Sequence, residues 1–412
     1  MVEPLDQYWT PISVATLLRD LPRPALLHSA ATEHPLGVYS YFAADPIATV
    51  SAAAREWPQI CLQVRRTLSR PERRCNDLPP FQGGWIGWFG YELGTAFDRI
   101  ERHRSEPHPV PDIALGLHDW VIAWDHRRNQ GWLISSGIDS EGHADHARAR
   151  DRAHSVLDRL NPPSRATAQN DMQRPASSSF AADFTEAEYR TAIARAIELI
   201  LDGDLFQVNL AQRFTTDFLG DPLAFYRALC LETAAPMAAF IRHGAVSIAS
   251  ASPEEFLRLD PRTRQVETRP IKGTRPRSAD SERDAALARA LTESAKDRAE
   301  NVMIVDLLRN DLSKVCVPGT VAVPTLCATE AHPTVHHLVS IVTGELRHGT
   351  DALDLLAATF PGGSITGAPK LRAMEIIATL EPTARGVYSG AIGWIGFDGG
   401  MNMSIAIRTV VM

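Results

Sequence analysis

The chain has 412 residues, of which 44% are apolar and 22% are charged, and its formal net charge is −7 at pH 7. This length suffices for two domains or for one large fold with two lobes. The acidic balance argues against a nucleic-acid-binding protein, which needs a basic face, and no apolar run reaches the ~18 residues that a membrane span requires.

The first residues and the cysteines indicate the compartment. Residues 1–4 have neither the basic region nor the apolar stretch of a secretion signal. The five cysteines are scattered and form no Cys-x-x-Cys pair, which is typical of reduced thiols rather than of disulfides or a zinc site. We therefore expect a cytoplasmic, globular enzyme.

The N-terminal part is predicted to be rich in strands. Short aromatic and β-branched runs predict strands within 85–92 and 118–134. Residues 161–180 are rich in Pro, Ser and Ala and lack apolar periodicity, which is typical of a linker. The sequence thus divides into an N-terminal region (1–160), a linker (161–180) and a C-terminal region (181–412).

A helix opens the C-terminal region. Thr185 can cap it, Glu188 follows three residues later in a capping-box pattern, and Gly203 ends it. The apolar residues predicted to share one helical face are Tyr189, Ile193, Ile197 and Ile200.

The remaining elements alternate without a regular βαβ rhythm. Ser281 and Asp284 are predicted to open a long helix. The predicted ranges are strands at 206–211, 245–250, 265–269, 390–397 and 403–412, and a helix at 281–308. This order favours the α+β class with large antiparallel sheets.

Lysine is scarce in this chain. Of 42 basic residues, 38 are arginines and only four are lysines. Arginine keeps its proton in proteins, whereas a neutral lysine amine is a nucleophile. The four positions to inspect are Lys272, Lys296, Lys314 and Lys370.

Several segments of the C-terminal region could carry chemistry, although each also has a plain structural explanation. Asp297 and Glu300 would share one face of a helix and could bind Mg²⁺, or could simply be solvated. A glycine-rich turn at 362–367 could hold an anion or be only a tight turn. Lys272 could be a catalytic amine or a surface charge. The segments are 203–210, 252–254, 269–274, 296–301 continuing into 306–311, and 361–370.

Together and in this order, the five segments resemble those of the chorismate-utilising enzymes, which include anthranilate, aminodeoxychorismate, isochorismate and salicylate synthases. The resemblance is strong from about residue 183 onward and weaker at 26–29 and 83–92. It implies an α+β, two-lobed fold like that of anthranilate synthase component I, with large antiparallel sheets flanked by helices. It also implies chorismate as the substrate and Mg²⁺ as the cofactor.

Two positions indicate the branch of that family. Anthranilate synthases have alanine where this chain has Lys272, and the lysine resembles that of aminodeoxychorismate synthases, in which it is proposed to attack C2 of chorismate. Isochorismate and salicylate synthases place a general-base lysine where this chain has Gln207. A nucleophilic lysine must be partly neutral, so we expect burial or a nearby cation to lower the pKa of Lys272.

The resemblance implies roles for further residues. Glu254 matches the acid that protonates the departing 4-hydroxyl, and His337 matches a histidine near the ring. Arg408 matches the arginine that binds a chorismate carboxylate, while Glu300 matches a Mg²⁺ ligand with Asp297 as its neighbour. The remaining residues expected in the substrate pocket are Gln207, Thr274, Ser364, Thr366, Gly367, Tyr388 and Gly390.

The expected partner is a separate glutamine amidotransferase subunit that supplies ammonia, because this chain shows no convincing Gly-x-Cys-x-Gly nucleophile turn. Relatives continue for about one helix beyond position 412, with a glycine-rich turn and a second metal-binding glutamate, so weaker binding of Mg²⁺ and chorismate is expected without that segment. Two alternatives therefore stay open: anthranilate synthase component I, and a catalytically impaired binding subunit.

Overall fold

The computed structural model of the chain describes residues 1–68, 75–100, 110–160 and 179–412. The linker predicted at 161–180 lies outside the described residues except for its last two positions. Within the described residues, no helix is long and apolar enough to cross a membrane.

The described elements are mostly strands. The strands are β1 Val2–Leu5, β2 Ala25–His28, β3 Tyr39–Ala43, β4 Ala48–Ala52, β5 Gly84–Phe89, β6 Ile113–His118, β7 Trp120–Asp125, β8 Gln130–Ser135, β9 Ala181–Ala182, β10 Gln207–Val208, β11 Phe214–Thr215, β12 Met237–His243, β13 Val246–Ser252, β14 Glu255–Leu259, β15 Gln265–Thr268, β16 Ile271–Pro276, β17 Ala322–Ala331, β18 Val335–Glu345, β19 Gly367–Ala368, β20 Ala391–Gly396, β21 Met401–Ile405 and β22 Thr409–Val411. The helices are α1 Pro11–Leu17, α2 Trp57–Thr67, α3 His146–Leu160, α4 Glu186–Leu201, α5 Pro222–Glu232, α6 Ser281–Glu293, α7 Ala295–Ser313, α8 Ala352–Thr359 and α9 Lys370–Leu380.

Two large antiparallel sheets organise the described part of the chain. The first has the strand order β1-β8-β7-β3-β2-β12-β13-β22, and the second has the order β16-β18-β15-β14-β21-β20-β5-β6-β4, with β17 added beside β18. The predicted α+β class with large antiparallel sheets is confirmed. Both sheets combine strands from either side of the predicted linker, so the two regions of the sequence share both sheets.

The sheets pack face to face with helices outside them. One apolar cluster draws buried residues from both sheets, among them Tyr41, Ile241, Trp88 and Trp394, and it fills the space between them. A second cluster joins the first sheet to α1, α3 and α5. A third joins the second sheet to α2, α7, α8 and α9. The result is a layered body in which α7 and α9 lie against the second sheet.

The predicted start of α4 is confirmed in detail. The Thr185 side chain accepts from the Glu188 amide, and the Glu188 carboxylate accepts from the Thr185 amide at 2.8 Å. The predicted apolar face is not the buried one, however. The buried residues of α4 are Ala192, Ala196 and Leu199, whereas Ile193 and Ile197 are exposed.

The single helix predicted at 281–308 was wrong, because the chain forms two helices there. Ser294 leaves the helical conformation with φ −64° and ψ 107°, and its side chain caps α7 by accepting from the Asp297 amide. The predicted cap of α6 was also wrong. The side chain of Asp280 accepts from the Arg283 amide at the start of that helix.

Two predicted strands differ from the observed ones. The strand predicted at 206–211 is reduced to the two residues of β10, which pair with β19. The strand predicted at 403–412 is interrupted, because Arg408 has φ +50° and the chain passes from β21 in the second sheet to β22 in the first. Both differences occur at predicted site residues, Gln207 in β10 and Arg408 before β22.

Candidate active site

Two paired strands of the second sheet carry three of the predicted site residues. Thr274 of β16 lies opposite His337 of β18, and the Thr274 hydroxyl is 2.9 Å from Nδ1 of His337. The register shifts just before Thr274, so Lys272 lies in a bulge of β16. Gly273 has φ +97°, and a Cβ there would lie 2.9 Å from Cβ of Asp297. The glycine therefore lets the bulge approach α7.

Buried Glu254 and partly buried Lys272 form an acid–amine pair around Ser364. The Lys272 amine donates to the Ser364 carbonyl oxygen at 2.7 Å. Burial raises the pKa of Glu254 to about 7, although a hydrogen bond with the Ser364 side chain and the charge of Lys272 act in the opposite direction. Burial lowers the pKa of Lys272 against the nearby charges of Glu254 and Glu300, which is the predicted direction. Both shifts favour a neutral acid beside a neutral amine.

The glycine-rich turn forms the backbone wall next to this pair. It contains a short 3₁₀ turn, Gly363–Ile365, that leads into β19. The Thr366 hydroxyl donates to the Gly362 carbonyl at 3.0 Å. Gly367 has φ +155°, and a Cβ there would lie 2.1 Å from the Gln207 carbonyl oxygen. Glycine is therefore required for β10 to pair with β19.

Gln207 and Asn209 are brought to the same wall. The Asn209 amide donates to the carbonyl oxygens of Ser364 at 3.0 Å and Thr366 at 3.3 Å. The Gln207 carbonyl oxygen Oε1 is buried, and within the described ranges no hydrogen-bond donor reaches it. A buried acceptor without a partner is unusual and is available to a ligand.

A buried ion pair supports the wall from behind. Arg385 pairs with Glu381 at 2.6 Å, and both side chains are almost fully buried. The Arg385 guanidinium also donates to the carbonyl oxygens of Asn209 at 2.6 Å and Ile365 at 2.9 Å, and it lies over the Tyr91 ring. Arg385 therefore ties the two wall segments to the N-terminal region.

The two predicted metal ligands have different surroundings. Glu300 is partly exposed on α7, its carboxylate influences Lys272, and its ion pair with exposed Lys296 is long at 3.7 Å. Asp297 is paired with Arg275 at 2.8 Å, and hydrogen bonding with Ser294 and with Arg275 lowers its pKa. Glu300 thus fits Mg²⁺, which takes one or two carboxylates, keeps waters and bridges to an anionic substrate. The Asp297 carboxylate is already engaged with other groups.

Arg408 lies near the histidine side of the site. Its positive charge lowers the pKa of His337, after the larger effect of burial, and to a lesser degree that of His332. In the part of the chain that the structure describes, no carboxylate forms an ion pair with Arg408. A guanidinium without a protein counter-ion is suited to an anionic ligand.

Tyr388 and Gly390 lie in the segment just before β20. Tyr388 is exposed, and a Cβ at Gly390 would lie 2.1 Å from the Phe89 carbonyl oxygen. The Gly390 carbonyl accepts from the Ala406 amide at 2.9 Å, two residues before Arg408. Gly390 is therefore held beside the segment that leads to Arg408.

The predicted residues thus form two connected groups. The first contains Glu254, Lys272 and the wall of Ser364, Thr366, Gly367 and Gln207, with Glu300 beside it. The second contains Thr274, His337 and Arg408. The sequence did not predict that Asn209, Arg385 and Glu381 would support the wall formed by the glycine-rich turn. Asn209 lies inside the quoted segment 203–210, so the sequence did carry a signal for it, whereas Arg385 lies in none of the quoted segments.

Comparisons with known proteins show which family the chain resembles. The model of the chorismate binding enzyme family matches residues 23–412. Aminodeoxychorismate synthase component 1 of Escherichia coli (strain K12) is 40% identical over 407 residues, covering 95% of this chain and 86% of that protein. Anthranilate synthase component 1 of Thermus thermophilus is 39% identical over 368 residues, covering 89% of this chain and 78% of that protein.

The fold has a solved counterpart. The crystal structure of anthranilate synthase component I from Streptococcus pneumoniae matches with a TM-score of 0.79 and 28% sequence identity, covering 91% of this chain and 84% of that chain. The expected likeness to the fold of anthranilate synthase component I is therefore confirmed.

Proposed function

This chain belongs to the family of chorismate binding enzymes, and we propose that it aminates chorismate with ammonia to give 4-amino-4-deoxychorismate, the precursor of 4-aminobenzoate and folate. Curated relatives named aminodeoxychorismate synthase component 1 support this choice. The observation that carries it is the pair of Lys272 and buried Glu254, which are joined through Ser364.

The first step uses both members of the pair. The neutral Lys272 amine forms a bond to C2 of chorismate, the conjugated ring double bonds shift, and the bond from C4 to its hydroxyl breaks. Glu254 gives its proton to the departing hydroxyl, which leaves as water. The pKa of about 7 makes the carboxyl a usable acid at neutral pH, and the lowered pKa of Lys272 increases its nucleophilic fraction.

Ammonia then reverses the displacement. It forms a bond to C4, the double bonds return, and the bond between C2 and Lys272 breaks with the electron pair returning to the amine. The new ammonium group gives one proton to the Glu254 carboxylate, which restores the acid. The enolpyruvyl group stays on the product, so a separate lyase has to remove it to give 4-aminobenzoate.

The other groups orient the substrate in this proposal. Arg408 binds one carboxylate of chorismate through two parallel hydrogen bonds. Glu300 would hold Mg²⁺, which would neutralise the other carboxylate. The hydrogen bond between Thr274 and His337 fixes the orientation of the imidazole, which faces the chorismate ring in this proposal.

Ammonia requires a source, and we propose a separate glutamine amidotransferase subunit. The relatives are named as component 1, which implies a second component. A cytoplasmic location likewise stays a prediction from the sequence.

The test is to incubate the pure chain with chorismate, Mg²⁺ and excess ammonium and to identify the products by mass spectrometry. We expect amino-deoxychorismate. Anthranilate would instead indicate anthranilate synthase, an alternative kept because a relative of that name is 39% identical. Unchanged chorismate would contradict the enzymatic proposal and favour a binding subunit.

A second measurement examines the covalent step directly. Without ammonium, the wild-type protein should gain the mass of chorismate less one water on the peptide that contains Lys272. K272R, which keeps the charge but cannot supply a neutral amine, should gain no mass and show no amination. Full activity of K272R would remove the lysine from the reaction.

A further inference from the structure

A compact group of metal-binding side chains lies outside the pair just described. His34 follows β2 in a loop at 29–38, Glu330 lies near the end of β17, and His332 begins the turn into β18. One ligand atom from each lies within 4.8 Å of the others, and no other such group of three was found among the described residues. Both histidines are buried, at 8% and 6% exposure.

The polar atoms of this group lack the partners that buried atoms normally have. Nε2 of His34 and Nε2 of His332 are buried without a hydrogen bond inside the described ranges. Oε2 of Glu330 lies 3.4 Å from Nε2 of His34. Since buried polar atoms are almost always paired, these nitrogens indicate that a ligand is expected beside them.

The donor set selects the class of ligand. We propose that His34, Glu330 and His332 bind one divalent transition-metal ion of the zinc class. Two imidazole nitrogens and one carboxylate oxygen suit zinc, cobalt or nickel, whereas Mg²⁺ prefers oxygen ligands alone. Three protein ligands leave a coordination position for water.

A neighbouring arginine orients the Glu330 carboxylate. The second oxygen of Glu330 accepts from Arg269 at 2.5 Å, which fixes the carboxylate as an outer hydrogen bond does in metal sites.

Metal binding has two costs in this structure. The Leu36 amide donates to Nδ1 of His34 at 3.1 Å, so in the metal-free protein the proton of the neutral ring is on Nε2. A metal at Nε2 moves that proton to Nδ1 and displaces the Leu36 amide. The positive charges of Arg269 and Arg408 lie nearby and also reduce affinity.

The site would join two distant parts of the chain next to the substrate pocket. The His34 and His332 rings lie 4.4 Å apart between centroids, and the His332 and His337 rings lie 4.8 Å apart. A bound ion would fasten the loop at 29–38 to the turn between β17 and β18, directly behind His337.

The experiment measures Zn²⁺ and Co²⁺ binding to the whole chain in the presence of millimolar Mg²⁺, by equilibrium dialysis and by the visible spectrum of Co²⁺. We expect one ion per chain. H332F keeps an aromatic ring at this position but removes the nitrogen ligand, and its affinity should fall by more than the ~10–100-fold that loss of an outer partner causes. E330Q should show a similar loss.

Two control variants separate this site from others. E300Q alters the proposed Mg²⁺ position, and H348A removes an exposed histidine, so both should bind Zn²⁺ as the wild type does. Equal binding by H332F and wild type would overturn the proposal, as would loss of binding in H348A.

A measurement on the unmodified chain covers the case in which variants fail to fold. X-ray absorption at the zinc edge should show two imidazole ligands in the one-to-one complex. A spectrum without imidazole scattering, or no binding at all, would also overturn the proposal. These outcomes are independent of chorismate turnover, so they leave the proposed function untouched.

Discussion

Lys272 and Ser364 lie 92 positions apart in the chain, yet the Lys272 amine donates a 2.7 Å hydrogen bond to the Ser364 carbonyl oxygen. The side chain of the same serine hydrogen-bonds the Glu254 carboxyl. One residue of the glycine-rich turn therefore holds the amine and the acid together, so a change in either group should alter the other.

The first prediction concerns the ionisation of Lys272. The charge of Glu254 raises the pKa of Lys272 against burial, so E254Q should lower that pKa further. Acylation of Lys272 as a function of pH, followed by mass spectrometry of its peptide, should show a midpoint at lower pH in E254Q. Acylation of exposed Lys296 should respond to pH identically in both proteins, and an unchanged Lys272 midpoint would show that the pair is not coupled.

The second prediction concerns stability. The pKa of Glu254 is raised from 4.5 to about 7, so between these values the unfolded chain releases a proton that the folded protein keeps. Folding stability attributable to this group is therefore present below about pH 4.5 and is lost as the pH rises to about 7. At pH 8 the wild type should be less stable than E254Q, by at most about 3 kcal/mol. Urea unfolding at pH 5 and pH 8 measures the difference.

The control for that measurement is E198Q, on the exposed face of α4. It should not change the pH dependence of the unfolding midpoint. A constant difference between E254Q and wild type at both pH values would show that Glu254 is not destabilised by ionisation. E254Q should also lose most amination activity, so the stability gain and the functional loss should appear together.

The third prediction concerns Arg408. Hydrogen bonds to charged groups contribute about 1.5–3 kcal/mol, so R408A should raise KM for chorismate roughly 10–150-fold. Steady-state kinetics with saturating ammonium measure this change. R309A, which removes an exposed arginine paired with Asp306, is the matched control and should keep its KM. A normal KM in R408A would exclude a role in binding the carboxylate.

The fourth prediction concerns Gly367. A methyl group there would meet the Gln207 carbonyl oxygen, so G367A should separate β10 from β19 and displace the wall of the site. We expect a loss of stability of about 1–3 kcal/mol and a large loss of activity. Gly244 also has a positive φ but has open space around its Cβ position. G244A should therefore cost about 1 kcal/mol and leave activity unchanged.

The fifth prediction concerns Asp311, which is buried and accepts from two lysines. Lys370 lies 2.5 Å away with a largely buried side chain, and Lys314 lies 2.9 Å away with its side chain half exposed. D311N leaves Lys370 buried without a counter-ion and should cost about 3–5 kcal/mol. K314A removes only the exposed partner and should cost at most about 1 kcal/mol. Thermal and urea unfolding compare the two, and equal losses would contradict this assignment.

Local signals explain what the sequence predicted well. The capping box of α4 depends on Thr185 and Glu188, which lie three residues apart, so no tertiary contact is needed to form it. The scarcity of lysine indicated Lys272 as one of four candidate nucleophiles, and the structure places its amine beside a buried acid. These features could be predicted because each depends on residue type and short spacing.

Tertiary contacts explain what the sequence could not predict. Residues 281–308 have helical composition throughout, but the chain leaves the helix at Ser294, next to buried Leu291, which packs with Cys327 and Leu338. The strand predicted at 403–412 breaks because the chain changes sheets at Arg408. Neither event has a glycine or proline to mark it.

Two further features that depend on tertiary contacts could not be predicted from the sequence. The His34 and His332 rings lie 4.4 Å apart between centroids, although the two residues are far apart in the sequence. The exposure of Ile193 and Ile197 could not be read from the helical periodicity, because the small residues Ala192 and Ala196 face the protein instead.

Because both sheets pair early strands with late ones, neither sheet can be completed until most of the chain has been synthesised. Residue Ala25 of β2 pairs with Ile241, and Gly84 of β5 pairs with Gly396. At a synthesis rate of roughly 5–20 residues per second, the N-terminal strands wait on the order of ten seconds to a minute for these partners. During that time their unpaired edges can bind other chains. Folding should therefore be completed only late in synthesis, and a ribosome that stalls before position 396 should leave a nascent chain that needs a chaperone.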